Sequence, residues 1–235
     1  KGQFRHYMLK ETYEQPAVVQ NTLQSKIKDG LLNPETFNEK AQGILKDIQA
    51  VQIVACGTSY HSATVAKYWI EQYADIVCRV EVASEYRYRK VVVQPNTLLL
   101  TISQSGETAD TLAALRIAKD QGYLASMTIC NVKQSSLVRE SDFALLTEAG
   151  PEIGVASTKA FTTQLTALLV LTANITKQKG LDPSIEKNLV SALQQLPNFI
   201  EQALLLDKEI EQVFQCFADK QHSLFLGRGI MHAIA

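Results

Sequence analysis

The chain has 235 residues, 46% of them hydrophobic and 20% charged, with 23 Lys plus Arg against 24 Asp plus Glu and a formal net charge of −1. At roughly 150 residues per domain this length holds one large domain, or one domain with appendages, and the apolar content excludes a disordered or collagen-like chain. The balanced charge argues against a nucleic-acid or anionic-membrane surface as the main business of the protein.

Residues 1–48 read as a helical lead-in. Val19, Leu23 and Ile27 recur at helical spacing, and Glu14-Gln15-Pro16 marks a kink or a fresh helix start. The sequence opens on Lys1 rather than Met, without an apolar leader, so a piece excised from a longer chain is expected. From Val51 the texture changes to short apolar runs at residues 51–55, 76–82, 97–102, 124–130 and 143–146, separated by amphipathic stretches. Leu98-Leu99-Leu100 is apolar on both faces, as a central parallel strand covered by helices on both sides must be. Ile76, Cys78, Val80 and Val82 alternate with Arg79 and Glu81, the pattern of a less covered strand. Ala63, Ala66, Trp69, Ile70 and Tyr73 share one face of a helix after Ser59. The expected fold class is α/β: three α/β/α layers around a five-stranded parallel sheet, with the helical lead-in before it and further helices after it.

After Thr158 a long helix is expected, ended by Gly180. Its uncharged stretch Ala160–Thr176 is too short and too hydroxylated for a bilayer, and reads as a buried core or subunit-interface helix. Asp182-Pro183 reads as N-cap and first-turn proline of another helix. A third is expected from about Pro197, where Phe199, Ala203, Leu206, Ile210, Phe214 and Phe217 repeat at steps of three and four. Residues 223–229 read as a strand running into a glycine turn, either joining the sheet or opening a second α/β unit. Cys56, Cys78, Cys130 and Cys216 form no C-x-x-C pair and read as reduced packing residues of a cytoplasmic protein. The four histidines, His6, His61, His222 and His232, match no metal-ligand spacing, so no metal site is expected.

Two strand-to-helix junctions carry the chemistry: Cys56-Gly57-Thr58-Ser59, and Ser103-Gln104-Ser105-Gly106-Glu107-Thr108. In a doubly wound sheet both lie at the carboxyl edge, where ligands bind. Each presents free N–H groups of a helix's first turn, with the positive end of the helix dipole behind them. Glycine admits close approach, Ser and Thr donate without bulk, and neither loop holds Lys or Arg, so dipoles and hydrogen bonds would hold a phosphate monoester. G-x-x-x-x-G-K-[ST] is absent and neither junction has G-x-G-x-x-G spacing, which disfavours ATP and NAD; no cofactor is expected. Glu107 reads as a dipole-stabilising residue rather than a general acid or base, and Cys56 as packing beside the ligand rather than a reactive thiol. The loop Glu152–Lys159 reads as a wall of the pocket, with Lys159 solvated in a first helical turn rather than forming an imine.

Together these segments resemble the sugar isomerase (SIS) domain family across essentially the whole chain. The likeness rests on Phe4-Arg5-His6-Tyr7-Met8, Tyr13-Glu14-Gln15-Pro16, the two junctions with their flanks, Ser136–Asp142 and Glu152–Thr162. It implies the SIS fold over residues 49–180, helices 181–220 packing on it, and a truncated start of a second SIS domain at 221–235. It also implies the sugar-handling half of an enzyme that takes ammonia from glutamine and converts fructose 6-phosphate into glucosamine 6-phosphate, preceded by a glutaminase domain. By motif, Ser59, Ser103, Gln104, Ser105 and Thr108 would hold the phosphate, beside Cys56 and Gly57, and Thr58, Val155, Ala156 and Ser157 would line the sugar. The family's imine-forming lysine, proton-shuttling glutamate and ring-opening histidine fall outside these residues, so binding of fructose 6-phosphate, glucose 6-phosphate or glucosamine 6-phosphate without turnover is expected. A homodimer is expected too. The rival readings are a non-catalytic phosphosugar-sensing SIS module and a stand-alone aldose–ketose phosphate isomerase.

Overall fold

A computed structural model describes residues 2–235; Lys1 lies outside the described residues. The lead-in opens with α1 (Tyr7–Gln24), which runs unbroken through Pro16. Proline supplies no N–H to the carbonyl four residues back, and here the Gln15 side-chain amide donates to that carbonyl, Thr12 O, at 3.2 Å. The helical row then ends. Ile27, expected to extend it, begins a two-stranded hairpin, β1 (Ile27–Lys28) with β2 (Leu31–Leu32). Asp29 and Gly30 both take positive φ (53° and 74°), the geometry that an Asp-Gly pair provides for a two-residue turn. The lead-in is therefore not wholly helical. It closes with α2 (Glu39–Asp47), capped by Asn38 Oδ1, which accepts from the Ala41 N–H at 2.9 Å.

The sheet follows as β3 (Ala50–Ala55), α3 (Gly57–Ala74), β4 (Val77–Val82), α4 (Ala83–Tyr86), β5 (Thr97–Ser103), α5 (Ala109–Ala118), β6 (Ala125–Cys130), α6 (Ser136–Glu140) and β7 (Phe143–Leu146). All five strands run parallel in the order β4-β3-β5-β6-β7, at the positions the apolar runs predict. Alternate residues of a strand point to opposite faces, and the core divides accordingly. Val51, Ile53 and Ala55 of β3 with Leu98, Leu100 and Ile102 of β5 join one apolar cluster, together with Ala63, Ala66 and Ile70 of α3 and Ala167, Leu168 and Leu171 further on. Val54 and Leu99 face the other way, against Tyr86, Ala114, Leu115 and Leu137. Three layers result, and β4, at the edge, is only partly covered.

Next comes α7 (Lys159–Gln178), most of it buried, and Gly180 follows at φ 67°. A helix so rich in threonine tolerates the core because Thr163, Thr166, Thr172 and Thr176 each donate to the carbonyl four residues back. It is a core helix, and no described helix is long and apolar enough to cross a membrane. Asp182 caps α8 (Pro183–Leu204), accepting from the Ser184 N–H at 2.8 Å. Pro197 sits inside this helix rather than starting one; the break comes at Leu205 and Leu206, before α9 (Asp207–Phe214). Packing on the domain runs along α8 from Ile185 to Ile200, with Leu189, Val190 and Leu193 buried. No residue of α9 is buried, so residues 181–220 do not cover the domain as one unit. Residues 223–228 form no strand; a 3-10 turn at Gly229–Ala233 touches α3 instead.

Candidate functional site

The chain runs from β3 outward to β4, then returns across the sheet to β5, so the strand order reverses between β3 and β5. Their carboxyl ends are level, with Ala55 paired to Ile102. A crevice opens at such a point, and its floor is made by the two loops that leave it.

The first loop is a single residue. Cys56 is extended and caps α3, whose first turn is Gly57, Thr58 and Ser59. Gly57 sits at φ 55°, a conformation that costs a side-chain-bearing residue energy. The Tyr60 N–H is the first to reach back, to Cys56 O at 3.3 Å, which leaves the earlier amides of the turn without an intrahelical acceptor. Ser59 Oγ accepts from Gln164 Nε2 at 2.9 Å, and Gln164 is fixed in turn by Ser62, whose Oγ donates to Gln164 Oε1 at 3.1 Å. With an acceptor position occupied, the Ser59 hydroxyl keeps its proton for the crevice. Gln164 lies on α7, and nothing local in the sequence marks it. Cys56 is half-buried, with Thr111 Oγ1 at 3.9 Å from its sulfur, a contact that ties the first turn to α5.

The second loop holds itself in shape. The Gly106 N–H donates to Ser103 Oγ at 3.0 Å, the Glu107 N–H to Ser105 Oγ at 3.2 Å, and Ser103 Oγ lies 2.9 Å from Thr108 Oγ1. Ser103 is buried beneath the turn, so if it donates to Thr108, the Thr108 proton is left pointing outward. Gln104 gives its carbonyl to the Asn131 N–H at 3.2 Å. Gly106 has φ 69°, and a Cβ there would meet Cys130 Sγ at 2.7 Å and Ser135 closer still. Thr108 starts α5, and Asp110 in its first turn is paired with Arg87 at 2.6 Å. Glu107 stabilises a helix other than its own: its carboxylate accepts from the Ser136 N–H at the start of α6 at 2.7 Å, which holds its pKa below the usual carboxylate range.

The third loop, residues 151–158, leaves Val155 and Ala156 open to solvent. Glu152 plugs the N-terminus of α7, accepting from the Thr158 and Ala160 N–H groups at 3.0 and 3.1 Å and from Ser157 Oγ at 3.3 Å. Three long helices thus begin at this edge. One is already satisfied by its own carboxylate, and the starts of α3 and α5 are free for an outside anion. Lys159 is neither solvated nor aimed at the crevice: it is buried and paired with Glu14 of α1 at 2.8 Å. The same face of α1 supplies Glu11, which binds the loop, and Gln15, which meets Thr162 at 2.5 Å. The lead-in therefore belongs to the site's frame, a role its sequence alone does not reveal. No trio of His, Cys, Asp or Glu placed to hold a metal occurs among the described residues.

The family model described as SIS domain matches residues 44–174, more than half of the chain. The chain belongs to the SIS domain family. Over its full length this SIS chain is 61% identical to the glutamine–fructose-6-phosphate aminotransferase [isomerizing] of Haemophilus ducreyi and 57% identical to that of Escherichia coli K12. It spans 39% of the length of each. The SIS fold superimposes with a TM-score of 0.96 on the C-terminal domain of glucosamine-fructose-6-phosphate aminotransferase from Francisella tularensis, at 51% identity, covering 99% of this chain and 65% of that one.

Proposed function

We propose that these residues form the phosphosugar-binding part of a glutamine–fructose-6-phosphate aminotransferase, the enzyme that converts fructose 6-phosphate and glutamine into glucosamine 6-phosphate and glutamate. The observation that carries this reading is the pair of turns at the β3/β5 switch point, free of Lys and Arg, each offering hydroxyl donors and a helix N-terminus. The whole-chain likeness to relatives bearing that name supports it. In this reading Ser59, Ser105 and Thr108 donate to the phosphate, and Ser103 aligns Thr108 from below. Gln104, Cys56 and Gly57 shape the cradle, and Thr58, Val155, Ala156 and Ser157 face the sugar. Hydrogen bonds to a charged acceptor contribute about 1.5–3 kcal/mol each, so three to five of them hold a small phosphate ester without an opposing cation.

This reading assigns no imine chemistry to these loops, since Lys159, the lysine that follows the third loop, is committed to Glu14. In this reading these residues bind sugar phosphate and turnover is expected to need residues beyond them. A cytoplasmic setting agrees with four unpaired thiols. Pairing as a homodimer completes the reading, and light scattering tests it. Calorimetric titration tests the site: fructose 6-phosphate and glucose 6-phosphate give saturable binding, and fructose does not. An equal response to fructose and fructose 6-phosphate contradicts the assignment.

A further inference from the structure

Glu11 is 2% exposed, yet among the described residues no cation is bonded to its carboxylate. A buried carboxylate is costly unless hydrogen bonds satisfy it, and its donors are identifiable. They are two successive backbone amides of the exposed loop: Ile153 N–H at 2.6 Å and Gly154 N–H at 3.0 Å, both on Oε1, with Gly154 also 3.3 Å from Oε2. Consecutive amides turned toward one anion form a nest, and the loop bends at Gly154, where they are presented. A Cβ on Gly154 would lie 2.6 Å from Glu11 Oε2. Val155 and Ala156, the next two residues, have no burial of their own to hold them. Their placement is set at one end by Glu11 and at the other by Glu152 on the start of α7.

We propose that Glu11 is a positioning residue: from α1, outside the sheet, it fixes the loop whose Val155 and Ala156 face the sugar, and so governs recognition of the sugar rather than of its phosphate. This rests on the reading of the crevice as a phosphosugar site. The phosphate turns make no bond to Glu11, so the two parts of the ligand separate in a test.

The experiment titrates fructose 6-phosphate and inorganic phosphate into the wild-type chain and the variants Glu11→Ala, Glu11→Gln and Gly154→Ala, with amide hydrogen exchange read at Ile153 and Gly154. Loss of two amide bonds to a carboxylate is expected to weaken fructose 6-phosphate by about tenfold or more in Glu11→Ala, with phosphate affinity held within about twofold. Exchange at the two amides accelerates by a similar factor. Glu11→Gln keeps the accepting oxygen and retains most of the affinity. Gly154→Ala leaves α1 untouched and reproduces the selective loss, which guards against a Glu11 variant that fails to fold. Equal losses for both ligands, or unchanged affinity for both in variants that bind, overturn the role of Glu11 alone. A wild-type chain that binds neither ligand sinks the phosphosugar reading and this inference with it.

Discussion

Gly106→Ala tests whether the second turn is as tightly built as its hydrogen bonds imply. Two separate penalties apply. The backbone at φ 69° is left-handed, which costs an L-residue about 1–2 kcal/mol. The new methyl also enters space already held by Ser135 and Cys130, both buried, with Cys130 Sγ only 2.7 Å from the ideal Cβ. Overpacking of that kind costs about 1–3 kcal/mol, for a total of about 2–5 kcal/mol. Gly122→Ala is the matched control: its φ is 83°, but nothing lies within 4 Å of the added Cβ, so only the backbone penalty applies. Urea denaturation with both slopes constrained by data gives the two values directly. Because the methyl would push Gly106 away from Ser103 and Leu137, whose N–H donates to Gly106 O at 3.1 Å, sugar-phosphate binding also falls in Gly106→Ala. A Ser135→Gly background removes the main obstruction and is expected to recover at least about 1 kcal/mol of coupling. If Gly106→Ala is no more destabilising than Gly122→Ala, within about 0.5 kcal/mol, the packing argument for this turn is wrong.

Ser105→Ala removes a donor to the phosphate and is expected to weaken fructose 6-phosphate by about 1.5–3 kcal/mol in calorimetry; an unchanged dissociation constant rules out its assigned contact. The Lys159–Glu14 pair is asymmetric, since Lys159 is buried whereas Glu14 is part exposed and also bonded to Lys10 at 2.5 Å. Glu14→Ala, which leaves a buried ammonium unpaired, is expected to cost about 3–5 kcal/mol, and Lys159→Met about 1 kcal/mol or less; equal costs in chemical denaturation contradict the asymmetry. Hydrogen bonds from Lys10 and Lys159 also hold the Glu14 pKa below the usual carboxylate range. A depressed carboxylate stabilises the fold above its unfolded-state value near 4.3, and that contribution is lost as pH falls through the folded value. Stability followed from pH 7 to pH 3 should therefore decline below about pH 4.3, and less steeply in Glu14→Gln; a steeper decline in the variant reverses the sign of the argument.

The sheet was legible because its evidence is local. Leu98-Leu99-Leu100 must be covered twice, the alternation in Ile76–Val82 marks a less covered strand, which the structure puts at an edge, and the two hydroxyl-rich junctions announce where the strands end. What escaped was of two kinds. Asp29-Gly30 is a local turn signal that a helical row across Ile27 obscured, and Pro197 looked like a helix start although α8 carries it. The frame of the site was not readable at all, since Glu11 meets Ile153 across 142 residues of sequence, Lys159 meets Glu14 across 145, and Gln164 meets Ser59 across 105. Spacing rules describe neighbours on one element, and these partners become neighbours only when α1, α3 and α7 pack together. The C-terminal residues 205–229 escaped for the opposite reason: their apolar periodicity is real, but in this structure none of them is buried.

The most direct test is a crystal structure of the chain with fructose 6-phosphate. The phosphorus is expected between the starts of α3 and α5, with the hydroxyls of Ser59, Ser105 and Thr108 within hydrogen-bonding reach and no lysine or arginine among its ligands. Phosphate bound at another edge of the sheet, or held there by a cationic side chain, contradicts it.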